Sequence, residues 1–221
     1  MNASVANENW LELDEGLDTL YALRHVELCL CAVSKKPELW KWGALALHSA
    51  LQGAMVCHLN GSANVGFLSE KSAKEWFAWD EKDRAGEIPW IIDDEPDEFG
   101  FRTRRLMDQG IKRPTTYMAA PRELFKRLSD ENKRIEGGVG AVINVTDGQK
   151  WAFNRLSELR DEFTHFKPKG WSIEISGFPS IVAEIGALIL SIAKDDYPFR
   201  HLKESELHEI LRIASRLSQQ S

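Results

Sequence analysis

The chain has 221 residues, 43% of them hydrophobic and 28% charged, with a net charge of −6. That length supports one large domain whose core needs no metal or disulfide staple. The acidic balance argues against a protein that coats nucleic acid through a broad basic surface.

The opening MNASVANENW has no basic stretch followed by an apolar run, which argues against a secretory leader. Residues 10–34 predict a helix, with Leu13, Leu17, Leu20, Tyr21, Leu23, Leu28 and Cys31 recurring at three- and four-residue steps. Pro37 separates it from a second helix over 38–58, whose Trp40, Ala44, Leu47, Leu51 and Met55 share a face and which Asn60-Gly61 closes. Two long helices on a short connection should pack as an antiparallel hairpin. The cysteines, Cys29, Cys31 and Cys57, fall inside these apolar patterns without paired C-x-x-C spacing and read as buried thiols of a reducing cytoplasm.

SEKSAKEWFA, 70–79, predicts a short helix. After it, residues 80–116 form a long irregular insertion, acidic through IIDDEPDEFG and basic through FRTRRLMDQGIKR, with room for a short helix around 101–109. The acidic run lacks the glycine and terminal glutamate of a calcium loop and reads as solvated. Residues 120–134 predict a helix opened by Pro121, and EGGVGA, 136–141, a flexible break.

Thr146 and Gln149 form a capping box at the start of a further helix whose stripe is Ala152, Leu156, Leu159, Phe163 and Phe166. WSIEIS, 171–176, alternates as a short extended piece. Residues 178–194 and 203–219 complete the helices, the last amphipathic with Leu207, Ile210, Leu211, Ile213, Ala214 and Leu217. The most apolar windows, 43–59 and 178–193, carry polar residues or fall short of the roughly 20 residues of a membrane span. The expectation is a cytoplasmic protein, 1–221, folded as a single all-α domain: a helical bundle of four to five long helices with an irregular insertion at about 80–116.

The chemistry concentrates in LRDEFTHF, 159–166, where a helical pattern ends before Lys167, Pro168, Lys169 and Gly170. At about 100° per residue, Arg160 falls on the rim of the buried stripe, about 140° from His165. Asp161 and His165 are one turn apart and share a face, so Asp161 is placed to accept an imidazole N–H and fix its tautomer. Arg160 could hold a phosphate in a bidentate grip. On an isolated helix Arg160 and His165 diverge. They converge only if the last turn unwinds or a second subunit packs across them.

The string L-R-D-x-F-x-H-F, an R-x4-H pattern late in a helix of an all-α domain, resembles the HEPN superfamily. Many members are dimeric ribonucleases of toxin–antitoxin, antiphage and RNA-processing systems. The resemblance implies a homodimer whose two motifs meet at a shared cleft and cleave RNA without metal or cofactor. The 2′-hydroxyl would attack the adjacent phosphate, with His165 moving the proton, Arg160 stabilising the phosphorane and Asp161 in the place commonly held by Asn. Lys167, Lys169 and Arg155, with Arg102, Arg104, Arg105, Lys112 and Arg113 of the insertion, would contact RNA if that insertion folds toward residue 165. The alternative is a non-catalytic HEPN-like module that dimerises, or binds a small protein partner through its Trp-rich, acidic stretch 76–101.

Two other candidates read as structural. Glu27 sits among Leu20, Leu23, Leu30 and Cys31, and Arg24, His48 or Arg160 could pair with it. Glu27, His48 and His58 lack the E-x-x-H spacing of a bundle metal site, so no metal is expected.

Overall fold

The Asp14 side chain caps the first turn of α1 (Glu15–Ala32) by accepting from Leu17 N–H at 2.7 Å. In the computed structural model, which describes residues 13–96, 102–107, 110–136, 138–165 and 172–220, this helix pairs along its length with α2 (Leu39–Leu59). The remaining elements are α3 (Glu70–Arg84), β1 (Trp90–Pro96), β2 (Arg102–Leu106), α4 (Pro121–Ser129) with a 3-10 turn (Glu131–Lys133), α5 (Asp147–Thr164), α6 (Phe178–Ala193) and α7 (Glu204–Leu217). The fold is an all-α bundle carrying one small antiparallel hairpin. Among the described residues, no helix is long and apolar enough to cross a membrane.

The bundle is built around α2, which packs on α1, α4, α5 and α6, while α7 closes against α1 and α6. One continuous core runs through all six, from Leu20 and Leu23 through Leu47, Leu51 and Leu156 to Ile189 and Ile213. The expected face of α2 is the buried one: Ala44, Leu47, Leu51 and Met55 are all interior. α1 differs. It buries Leu20, Leu23, Val26 and Cys29 and leaves Tyr21 and Leu28 exposed, while Leu13 lies exposed ahead of the helix. Its apolar residues nearly encircle the helix, so periodicity alone does not select the face that α2 and α7 cover. The thiols divide accordingly: Cys29 is buried, Cys57 half-buried and Cys31 exposed.

The insertion is more ordered than its sequence suggests. α3 continues to Arg84, helped by the Asp80–Arg84 pair one turn apart. In place of an irregular stretch with a short helix around 101–109, β1 and β2 pair antiparallel, Trp90 opposite Leu106 and Ile92 opposite Arg104. The aromatic and β-branched run Trp90-Ile91-Ile92 supplies the strand preference, and an acidic segment thereby lies beside a basic one. α3 has its own small core of Val65, Leu68 and Ala73. Ser72 fastens it to the returning chain, its hydroxyl donating to Thr115 O at 3.0 Å and accepting from Tyr117 N–H at 3.1 Å.

Within EGGVGA, expected as a flexible break, Gly140 and Ala141 are pinned against α2 and Arg134. Gly140 has φ +88°, and a Cβ there would lie 2.5 Å from the His58 carbonyl oxygen and 2.7 Å from its ring. Beneath it, His58 Nε2–H donates to Ala141 O at 2.8 Å, and Arg134 donates to the carbonyls of Gly140 and Ala141. Residues 172–175, expected as an extended piece, are neither helix nor strand.

Candidate functional site at the end of α5

The capping box forms as its sequence requires: Gln149 N–H donates to Thr146 Oγ1 at 3.1 Å, and Thr146 N–H to Gln149 Oε1 at 3.0 Å. Ala152, Leu156 and Leu159 are buried against α2 and α6, and Phe163 is half-buried. Phe166, the last stripe residue, lies outside the described residues. This packing fixes the rotation of α5, so Arg160 emerges at the core's rim and Asp161 and His165 face solvent.

The helix stays regular up to its cap. His165 N–H donates to Asp161 O at 2.9 Å, and Thr164 Oγ1–H to Arg160 O at 2.8 Å. His165 is the C-cap, where the backbone leaves the helix at φ −97° and ψ 81°. The Asp161 carboxylate accepts from Arg160 Nη1 at 2.7 Å. Among the described residues, no hydrogen bond or ion pair joins Asp161 to His165, in contrast to the shared-face expectation. The permanently charged guanidinium next door takes the carboxylate instead.

Two residues outside the motif join it in space. His48 of α2 is buried and neutral, its pKa lowered to about 4, first by burial and then by Arg160, with Asp161 opposing. Arg160 and Asp161 are therefore within electrostatic reach of His48. Lys41, two turns earlier on α2, holds its ammonium 6.0 Å from the Phe163 ring centroid and 5.1 Å from that of Trp42. Trp40, Lys41, Phe163, Ile173, Ile175 and Phe178 line a groove of about 370 Å3 beside the motif. Lys41 lacked a signal except its place in the run Trp40-Lys41-Trp42, and His48 was visible only as a polar residue on an apolar rim.

The other basic candidates lie elsewhere. No Cα of β1 or β2 comes within 8 Å of one in α5. Arg104 pairs with Asp83 at 3.0 Å and sits 4.6 Å from the Trp90 ring centroid, and Arg102 and Arg105 are exposed on the same strand. Arg155 pairs with Glu158 at 3.0 Å. Lys167 and Lys169 lie outside the described residues.

Glu27 is held by α7: its carboxylate accepts from Arg212 at 3.0 Å and Arg216 at 3.3 Å, while Arg24 takes Glu209. It is a structural ion pair, with partners other than the three its sequence neighbourhood suggested. Among the described residues, no three His, Cys, Asp or Glu side chains are grouped to hold a metal ion. Compared with protein-family models, curated proteins and solved structures, the chain finds no match.

Proposed function

We propose that the protein is a metal-independent endoribonuclease of HEPN type, acting as a homodimer. The observation that supports this most is the accessibility of the motif: Arg160 is half-exposed and His165 exposed where α5 leaves the core. In this reading His165 accepts the proton of the RNA 2′-hydroxyl as that oxygen attacks the adjacent phosphorus. Arg160 stabilises the charge that develops on the phosphorane oxygens. The P–O5′ bond then breaks, a proton returns to the 5′-oxygen, and the products are a 2′,3′-cyclic phosphate and a 5′-hydroxyl. The regular helix through Thr164 supports a shared site, in which a second copy supplies one of the two residues. Lys41 adds a cation beside the motif, and the neutral His48 places no second positive charge against Arg160.

The Arg160–Asp161 pair favours a second reading. A guanidinium already held by a carboxylate is partly neutralised toward phosphate, which suits a non-catalytic HEPN-like interaction module.

RNA cleavage by the purified protein in the presence of a metal chelator separates the two. The expected outcome is cleavage that His165→Ala and Arg160→Ala each reduce by about 100-fold or more with an unchanged melting temperature. Equal cleavage by wild type and both variants, or none by the wild type, removes the nuclease and leaves the module.

A further inference from the structure

α3 and the hairpin enclose a pocket of about 430 Å3 that is walled by Trp76, Phe77, Trp79 and Trp90. Asp80, Asp83, Arg104 and Arg113 supply its charges. The wall is fixed by its own polar contacts. Asp83 Oδ1 accepts from Trp90 Nε1–H and from Arg104. Trp79 meets Trp90 edge to face, with centroids 6.5 Å apart and planes at 83°.

Both carboxylates are matched by arginines, Asp83 by Arg104 and Asp80 by Arg84. Arg113 is left over. Its guanidinium rests 5.1 Å from the Trp90 centroid and, among the described residues, makes no hydrogen bond or ion pair. Among the described residues, the charge left unmatched at the pocket is therefore positive. Trp76 Nε1 is buried and, among the described residues, has no hydrogen-bond partner.

We propose that this pocket binds a nucleotide unit, with the base against the aromatic wall of α3 and the phosphate on Arg113. A nucleobase offers the flat π-face that such rings stack on. A phosphate matches the fork of a guanidinium. The volume lies within the range of small-molecule pockets. A quaternary ammonium, the other usual occupant of an aromatic cage, would meet two arginines already on Trp90 and, among the described residues, no unpaired carboxylate. The ligand is either a free nucleotide or one unit of a single strand. The proposal stands apart from the cleavage chemistry, because its residues belong to α3, the hairpin and the chain beside them.

Tryptophan fluorescence of the full chain tests it, with AMP in one titration and a short oligodeoxyadenylate in another. The DNA strand has no 2′-hydroxyl, so binding is read with no possibility of cleavage and can succeed or fail independently of the nuclease. Saturable quenching is expected, and the exposed Arg113→Gln should weaken binding by about tenfold. Trp79→Leu should weaken it by a similar factor, with circular dichroism showing that the fold persists. Saturation by AMP identifies a free nucleotide, and saturation by the strand alone identifies single-stranded nucleic acid. No saturable change with either ligand, undiminished affinity in Arg113→Gln, or displacement of the bound ligand by tetramethylammonium overturns the proposal.

Discussion

On α2, the His48 ring is held neutral because a charged imidazole there would lose its water and face Arg160. In the unfolded chain the same ring titrates near ~6.5, against about 4 in the fold. Between those values the unfolded state binds a proton that the native state refuses. Stability is therefore complete above about pH 6.5 and declines as pH falls toward 4, by a total on the order of 3 kcal/mol. His58 acts in the same direction, its pKa lowered first by burial, although the Ala141 carbonyl and Asp195 oppose the shift. The urea midpoint should thus be lower at pH 5 than at pH 7, and His48→Gln should shrink that difference. An undiminished difference in the variant would assign the acid sensitivity to other groups. Arg127 is the second decisive side chain. It is 0% exposed and donates to Gly66 O and Leu68 O at 2.9 and 2.8 Å while pairing with Glu123. Arg127→Met keeps much of the volume but strands two buried carbonyls, and should cost about 3 kcal/mol in denaturant unfolding.

Between elements, close approach matters as much as apolar area. Gly186 of α6 lies against the end of α7, where an added Cβ would stand 2.7 Å from Leu217 Cβ and 2.9 Å from Ser218 N. An Ala would gain up to ~1 kcal/mol of helix propensity. It would also push α7 off α6, and overpacking typically costs about 1–3 kcal/mol. Gly186→Ala should therefore lower the melting temperature, and a rise would show that α7 yields easily. Such contacts are silent in a sequence, whereas α5, α6 and α7 are readable because their stripes are one-sided, α2 because its apolar run is long, and Thr146, Gln149 and Pro179 mark two of their starts. α1 was readable as a helix but not by its face, since Tyr21 and Leu28 are as apolar as the residues it buries. The hairpin is not legible in the sequence because its charges read as solvated loop, while pairing between strands is a non-local fact. The site was half legible. Arg160, Asp161 and His165 stood in one string, but His48 and Lys41 reach them only through the α2–α5 packing.

For the whole molecule, the decisive question is whether one chain can complete the α5 site. Through Thr164 the helix is regular, and on such a helix positions 160 and 165 point about 140° apart, so the proposed shared site draws one residue from each copy. A two-fold dimer would do this by presenting Arg160 of one protomer to His165 of its partner, twice. That arrangement makes a prediction no monomeric site can imitate. Arg160→Ala and His165→Ala chains are each inactive alone, but a mixed dimer regenerates one site containing both intact residues. Random mixing puts about half of the dimers in that state with one of two sites restored, so activity should recover to about a quarter of wild type. If instead each site takes both residues from the same chain, mixing two defective chains restores nothing. Co-refolded equal mixtures, assayed on RNA beside each variant alone, read the difference directly. Recovery near a quarter would establish a shared site, and recovery of nothing despite wild-type cleavage would return both residues to one protomer.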